Sequence, residues 1–270
     1  MWRPAMHYLL ASNKLGDDAT LTRYVRVDGA KSPEDRIRHR QPKLPTMAPA
    51  FVEEGRTKFG KRVKRIDEMP SILVSGHNNV KIGRDVRKGR FKGYWIYTLS
   101  LEERATCPKS CEHWQSCYGN NMPFAKRVDH TDPKFLPALE AELDVLLAKH
   151  KTGVLVRLHA LGDFYSEAYL DFWRTQLEKH PRLAIYGYTA HLPDTFLGAG
   201  IAGLRWRFAH RFMVRHSNGP GSDCSTTTIM DPADRPDNAF VCPEQTEQTR
   251  CCATCGACWS TTKNVAFLAH

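Results

Sequence analysis

From residue 94 onward the apolar positions fall into readable periods. YWIYTLSL (Tyr94 to Leu101) is rich in aromatic and β-branched residues and predicts a strand. It runs directly into TCPKSCEHWQSCYGNN, residues 106 to 121, whose polar content is that of a loop. After Asp132-Pro133, KFLPALEAELDVLLAKH places Leu136, Leu139, Leu143 and Leu146 or Leu147 three and four residues apart, which predicts an amphipathic helix ending near Thr152-Gly153. VLVRLHALGDF predicts a strand leading into a loop, SEAYLDFWRTQLEKH a helix with Ser166 as N-cap, and AIYGYTA the next strand. DTFLGAGIAGLRW reads as a short helix capped by Asp194, and the alternation in RWRFAHRF as a further strand. AFVCP and NVAFLAH are short apolar runs near the end.

Strand, helix, strand, helix, strand in this order predicts an α/β fold: a parallel sheet with right-handed crossovers, open or closed into a partial (β/α) barrel. In such sheets ligands collect at the C-terminal ends of the strands. The loops after Leu101, His159 and Ala190 are therefore expected on one rim. Along VLVRLH, Val154, Val156 and Leu158 alternate with Leu155, Arg157 and His159, which puts Arg157 and His159 on one face. That pair would suit an anionic ligand in a barrel lumen, or serve as a buried partner of the helices.

Charge divides the chain differently. Residues 1–92 hold 21 Lys and Arg against 10 Asp and Glu, whereas residues 93–270 hold 18 against 19. The basic runs are RIRHR (Arg36 to Arg40), KRVKR (Lys61 to Arg65) and RDVRKGRFK (Arg84 to Lys92), separated by Pro-containing segments. Such a partition suits binding to a phosphate backbone, so nucleic acid is the partner expected of residues 1–92. A solvated arm that aids solubility is the plainer reading, and part of the region also stands to pad the barrel. The organisation expected is a basic N-terminal extension (1–92), an α/β core (93–223) and a C-terminal cysteine-rich segment (224–270) completing the core. Arg207, Arg211 and Arg215, with His210, are later basic candidates for a carboxylate or phosphate, most of them expected to face solvent. No apolar run approaches the roughly 18 residues of a membrane span, so a soluble, cytoplasmic protein with no membrane partner is expected.

In a reducing compartment the nine cysteines read as metal ligands rather than disulfides. Cys107-x3-Cys111-x5-Cys117 supplies three soft ligands from one loop. A structural zinc ion wants four, and His113 could be the fourth if the loop turned tightly. Three cysteines alone instead suit a 4Fe-4S cluster with one iron left open to a small molecule. Nearer the C-terminus, Cys252-x2-Cys255-x2-Cys258 matches the core of a bacterial ferredoxin run, with Cys242-Pro243 as the remote ligand. That x2, x2 spacing wraps a cubane, whereas zinc sites pair two separate knuckles, so iron-sulfur is preferred here with zinc as the alternative. Four ligands close such a site, leaving it for structure or electron transfer. Cys224 and Cys251 are left as spares. No Ser-His-Asp signature, phosphate loop or paired-carboxylate motif points to an ordinary hydrolase or kinase.

A cysteine triplet just after the first strand of a parallel barrel, with an aromatic residue adjoining the last, resembles the cluster loop of the radical S-adenosylmethionine (SAM) superfamily. The usual spacing there is C-x3-C-x2-C with the aromatic before the third cysteine; here the second gap is five residues and Tyr118 follows Cys117. CYGNN, VRLHALGDFYSEAYLDFW, YGYTAH and the closing cluster ending in CW are also similar to phage and mobile-element proteins of the gene product 88 type, over roughly residues 94–260. The resemblance implies a radical-SAM-like barrel and, for Gly162-Asp163, the place of a Gly-Gly-Glu-like motif holding the SAM amino group. A turn leading to the capped helix is the other reading of that dipeptide. It further implies reductive cleavage of SAM to a 5′-deoxyadenosyl radical, a reductant such as flavodoxin or ferredoxin, and a substrate that the basic region would make a nucleic acid. The competing function is a non-catalytic, metal-stabilised nucleic-acid-binding protein in which both cysteine groups are structural.

Overall fold

The computed structural model of the chain describes residues 7–12, 22–27, 54–217, 219 and 223–269. The basic run Arg36 to Arg40 lies outside the described residues. Within them the strands are β1 (His7–Ser12), β2 (Thr22–Val27), β3 (Val63–Lys64), β4 (Val74–Ser75), β5 (Trp95–Ser100), β6 (Arg127–Val128), β7 (Val154–Leu161), β8 (Leu183–Thr189), β9 (Phe212–Ser217), β10 (Ser225–Ile229), β11 (Ala239–Val241) and β12 (Asn264–Leu268). The helices are α1 (Phe135–Lys149), α2 (Glu167–Lys179), α3 (Phe196–Arg207), α4 (Cys252–Cys255) and α5 (Ala257–Ser260).

β1 and β2 pair antiparallel with each other, and β3 pairs parallel with β6. The main sheet has eight strands in the order β11-β12-β10-β9-β8-β7-β5-β4. Every neighbouring pair from β5 to β11 is parallel, and β4 runs antiparallel to β5. The fold is thus mixed α/β with a mostly parallel sheet. Among the described residues β4 and β11 remain edges, and no closed barrel forms.

Leucine spacing decides which face each helix buries. Leu139, Leu143 and Leu147 of α1, Tyr169, Trp173 and Leu177 of α2, and Ile201 and Leu204 of α3 join one cluster with Leu99, Val156, Ile185 and Val214 of the sheet. All three crossover helices therefore cover a single face. Trp173 is fully buried there, and truncating it to Ala should cost about 3–5 kcal/mol. Ser166 caps α2 as predicted, accepting from the Tyr169 N–H at 3.2 Å. Thr195 rather than Asp194 caps α3, accepting from Gly198 N–H at 3.1 Å. The predicted strand RWRFAHRF is only partly one: α3 continues through Arg207, with Leu204 and Phe208 buried four residues apart, and β9 begins at Phe212.

The other face of the sheet is covered by two segments distant in sequence. Ile96, Leu155, Ala184, Tyr186 and Met213 meet Ile82, Val86 and Phe91 from before β5, and Cys224, Cys251, Ala253 and Trp259 from the C-terminal segment. The two covers are joined to each other, since Lys81 and Ile82 carbonyls accept from Cys252 and Ala253 N–H at 2.8 and 2.9 Å. Residues 72–92, read from charge as part of an extension, are thus packed into the body, with Ile72, Leu73, Ile82, Val86 and Phe91 buried. The C-terminal residues supply three strands of the sheet and half of its second cover.

Candidate functional site

The first cysteine loop leaves β5 through Glu102, Glu103 and Arg104, all of them buried despite their charge. Glu103 accepts two bonds from the Arg127 guanidinium, at 2.6 and 2.9 Å, and both side chains are essentially unexposed. Arg127 also donates to the carbonyls of Met122, Ala125 and Gly119 at 3.2, 2.7 and 3.2 Å, so one guanidinium gathers the end of the loop. Gly119 is required at its place: a Cβ there would lie 2.7 Å from Glu103 Oε1. Arg104 holds the middle of the loop, donating to Trp114 O at 2.9 Å and to Asn120 Oδ1 at 2.5 Å. Arg56 and Thr57 reach the same place from the basic region, donating to Glu102 Oε1 at 2.7 and 3.1 Å, while the Thr57 hydroxyl donates to Glu103 at 2.7 Å.

This frame holds the three thiols half-buried and within electrostatic reach of one another. Each receives a backbone N–H: Cys107 from Arg104, Cys111 from His113, and Cys117 from Gly119 at 3.4 Å. Burial pushes all three pKa values up, that of Cys111 to about 11, and the N–H donors oppose the shift. The expected common rim is present. The Asp163 N–H donates to Thr106 Oγ1 at 3.1 Å, and Asp163 Oδ2 accepts from the Ala190 N–H at 2.7 Å, so the loops after β5, β7 and β8 meet. Gly162 makes this closeness feasible, with φ at +85° and Thr106 Oγ1 only 2.6 Å from where a Cβ would stand. Beside the loop lies a cleft of about 640 Å³, lined by the loop's own Glu112 and His113 on one side and by Ser225 to Thr228, Asn238 and Asn264 on the other.

The second group sits under the sheet's other face. Cys258 lies within electrostatic reach of Cys242, Cys252 and Cys255, and Cys242 within reach of Cys252. Burial raises Cys242 to about 11, Cys252 to about 12, and Cys255 by less. Backbone N–H groups of Gln245 and Glu244 donate to the Cys242 sulfur, and that of Ala257 to Cys255. The Tyr188 hydroxyl donates to Cys258 Sγ at 3.1 Å. Arg215, fully buried, fastens the segment by donating to the carbonyls of Cys258 at 3.4 Å, Lys263 at 2.8 Å, and Thr261. The two spare cysteines are buried in the inner cover, Cys224 with its thiol 3.4 Å from Met213 Sδ. Among the described residues no three His, Cys, Asp or Glu side chains converge on a point where one metal ion could sit.

Several expected residues are placed differently. Arg157 and His159 do not share a face: the β5–β7 ladder shifts register between Thr98 and Ser100, opposite Arg157 and Leu161, and the irregularity breaks the alternation. Arg157 lies over the Tyr188 ring at 5.7 Å on the inner face. His159 turns to the helix side, where it is 2.9 Å from the Tyr169 hydroxyl and edge-on to Phe164, with burial lowering its pKa to about 3. It is a neutral core residue rather than a ligand for an anion. Asp163 is 3% exposed, with Oδ1 accepting from Phe164 N–H at 2.7 Å and Oδ2 from Ala190; burial raises its pKa to about 6. Tyr118 stands half-exposed at the rim. His113 is exposed, with Nδ1 3.4 Å from Ser116 Oγ. The later arginines are engaged rather than open: Arg207 pairs with Glu178 at 2.6 Å, and Arg211 donates to carbonyls at the end of α2. Glu103, Arg127, Tyr186 and Tyr188 were not anticipated. The only hint for the first two was the charged triplet Glu102 to Arg104 abutting a strand.

A family model described as Gene product 88 matches residues 72–261, a span containing both cysteine groups and beginning at the buried Ile72. No curated protein and no solved structure matches the chain.

Proposed function

For a chain that belongs to the Gene product 88 family, we propose an iron-sulfur enzyme of radical-SAM type, with Cys107, Cys111 and Cys117 as the ligands of a 4Fe-4S cluster that has one open iron. The observation that carries this reading is the set of three neighbouring thiols, each receiving a backbone N–H, on the rim of a parallel sheet beside a cleft. Hydrogen bonds to the sulfurs favour the thiolate form that binds metal, against the opposing effect of burial. A cluster takes each cysteine on its own iron, so the sulfurs need not converge on one point as they must around zinc. When bound, the cluster would supply the electron for reductive cleavage of SAM. The chain's own part is to hold the loop rigid through Glu103, Arg104 and Arg127, to bring Asp163 close to Cys107, and to admit substrate through the cleft between His113 and Thr226. A nucleic-acid substrate fits the excess charge of residues 1–92, of which Arg56 and Thr57 already touch the loop's base.

A second reading, a metal-stabilised protein that binds nucleic acid without catalysis, is favoured by one observation. Asp163 is buried and each of its oxygens already accepts a backbone N–H, which places it poorly to meet a SAM ammonium group. Anaerobic purification decides between them. The enzyme reading expects iron and acid-labile sulfide bound to the first loop, and a change in the reduced-cluster spectrum when SAM is added. Zinc at both cysteine groups, or a fully loaded reduced protein indifferent to SAM, leaves the second reading.

A further inference from the structure

We infer that Arg157, Tyr186 and Tyr188 are the charge and hydrogen-bond partners of an anionic, thiolate-bound metal centre on Cys242, Cys252, Cys255 and Cys258, enclosed against the inner face of the sheet. The inference shares with the proposed function only the reading of cysteines as metal ligands; it needs neither SAM nor the first loop.

Among the described residues two buried polar atoms on this face, Arg157 Nε and the Tyr186 hydroxyl oxygen, have no hydrogen-bond partner. Tyr186 is 1% exposed, and an unmet donor in such a place is costly. Arg157 is paired with no carboxylate among the described residues, and the side chains that act on its charge are Tyr186, Tyr188, Cys252 and Cys258. Arg157 is half-buried, so water can serve part of its guanidinium, and its buried Nε is the atom that an anion beside it would answer. Neutral thiols supply no negative charge. Four thiolates do, leaving a net charge of two minus either with a 4Fe-4S core of charge 2+, which takes each sulfur on its own iron, or with one Zn²⁺, around which the sulfurs would have to draw together from where they stand. One arginine and two tyrosine hydroxyls then meet an anion instead of a void. Tyr188 already donates to Cys258 Sγ at 3.1 Å, and backbone N–H groups serve Cys242 and Cys255. Four ligands leave no open coordination position, so the centre is structural or relays electrons, with Cys252, Cys255 and Cys258 only half-buried.

The test uses the full chain carrying Cys107→Ala, Cys111→Ala and Cys117→Ala, purified without air, so that any metal remaining belongs to the second group. One centre per chain is expected, and iron with sulfide or zinc identifies its kind. Arg157→Met and Tyr188→Phe are then compared with that parent. With iron-sulfur, the midpoint potential should fall in both and further in Arg157→Met, because each substitution removes support for the more negative reduced state. With zinc, resistance to a chelator should fall about 10- to 100-fold in Arg157→Met and should recover in part with Arg157→Lys. Tyr188→Phe removes one oxygen from a ring that keeps its packing on Phe267, which keeps the test available if Arg157→Met fails to fold. An absence of metal in the parent overturns the inference. So does a potential or chelator resistance that neither substitution moves. A native chain loaded at both groups and reduced, yet indifferent to SAM, would remove the proposed function and leave this inference standing.

Discussion

The loop of Cys107, Cys111 and Cys117 is held by buried charge, whereas the group around Cys252 is held by being folded into the sheet. In the first, Arg127 and Glu103 meet in the core, and a handful of side-chain bonds to carbonyls set the path of an otherwise exposed loop. In the second, α4 and α5 lie between strands of the main sheet in the sequence, and their residues fill one of its faces. The difference shows what each site can tolerate. A loop on charged struts can lose its ligands and leave the sheet intact. A site that is itself the cover of a sheet cannot.

The sharpest way to break this contrast is to remove each ligand set in turn. Replacing Cys252, Cys255 and Cys258 with Ala should abolish cooperative thermal unfolding in calorimetry, since metal in small structural sites contributes on the order of 10 kcal/mol and Cys252 also packs in the inner cover. The same change at Cys107, Cys111 and Cys117 should move the midpoint by only a few degrees, as expected for about 1 kcal/mol or less in a domain of this size. Equal losses would end the distinction.

The strut itself is tested next. Arg127→Met leaves Glu103 charged, buried and without its partner, and should cost about 3–5 kcal/mol in denaturant titration. Pairing it with Glu103→Gln should recover part of that loss, because the uncompensated charge is gone. An effect that appears only on acidification concerns β7, whose two sides serve the two sites differently. Burial lowers the pKa of His159 to about 3, so the folded state keeps it neutral while the unfolded imidazole takes up a proton below about 6.5. Stability should therefore be complete above about pH 6.5 and be lost as pH falls toward 3, by up to about 1.4 kcal/mol per unit from this group. His159→Gln should flatten that slope, as followed by urea midpoints at several pH values.

The smallest effect on the fold should come from deleting residues 1–53, which keeps Arg56 and Thr57 against Glu102. The midpoint should hardly change, while affinity for duplex DNA should drop and its log-log salt slope flatten by about 0.9 for each phosphate no longer neutralised. An unchanged slope would return those residues to the role of a solubilising arm.

The parts of the fold written in period were legible in the sequence. Leu139, Leu143 and Leu147 announced α1, and the runs ending in Leu101, Leu161 and Thr189 announced the central strands. What was missed lacks a period. Ile82, Val86 and Phe91 are separated by lysines and arginines, so the stretch reads as a basic arm although its apolar members cover a sheet. STTTI looks polar enough for a loop yet forms β10, because its neighbours β9 and β12 satisfy its backbone. The cysteine spacings were visible at once, whereas the neighbours they meet under the sheet, Tyr188 on Cys258, Tyr186 on Trp259 and Arg157 over Tyr188, are set by a register that no local pattern contains.

β12 follows β11 in the chain but is inserted between β11 and β10. While the polypeptide is still emerging from the ribosome, β11 has nothing to pair with until Asn264–Leu268 arrive, and Cys242 lacks the Ala266 carbonyl that its N–H meets at 2.9 Å. The first loop, by contrast, precedes every crossover helix and can take its shape early in translation. Assembly of the two cysteine groups is thereby staggered in time, the outer one available to a nascent chain and the inner one only once Asn264–Leu268 have been made.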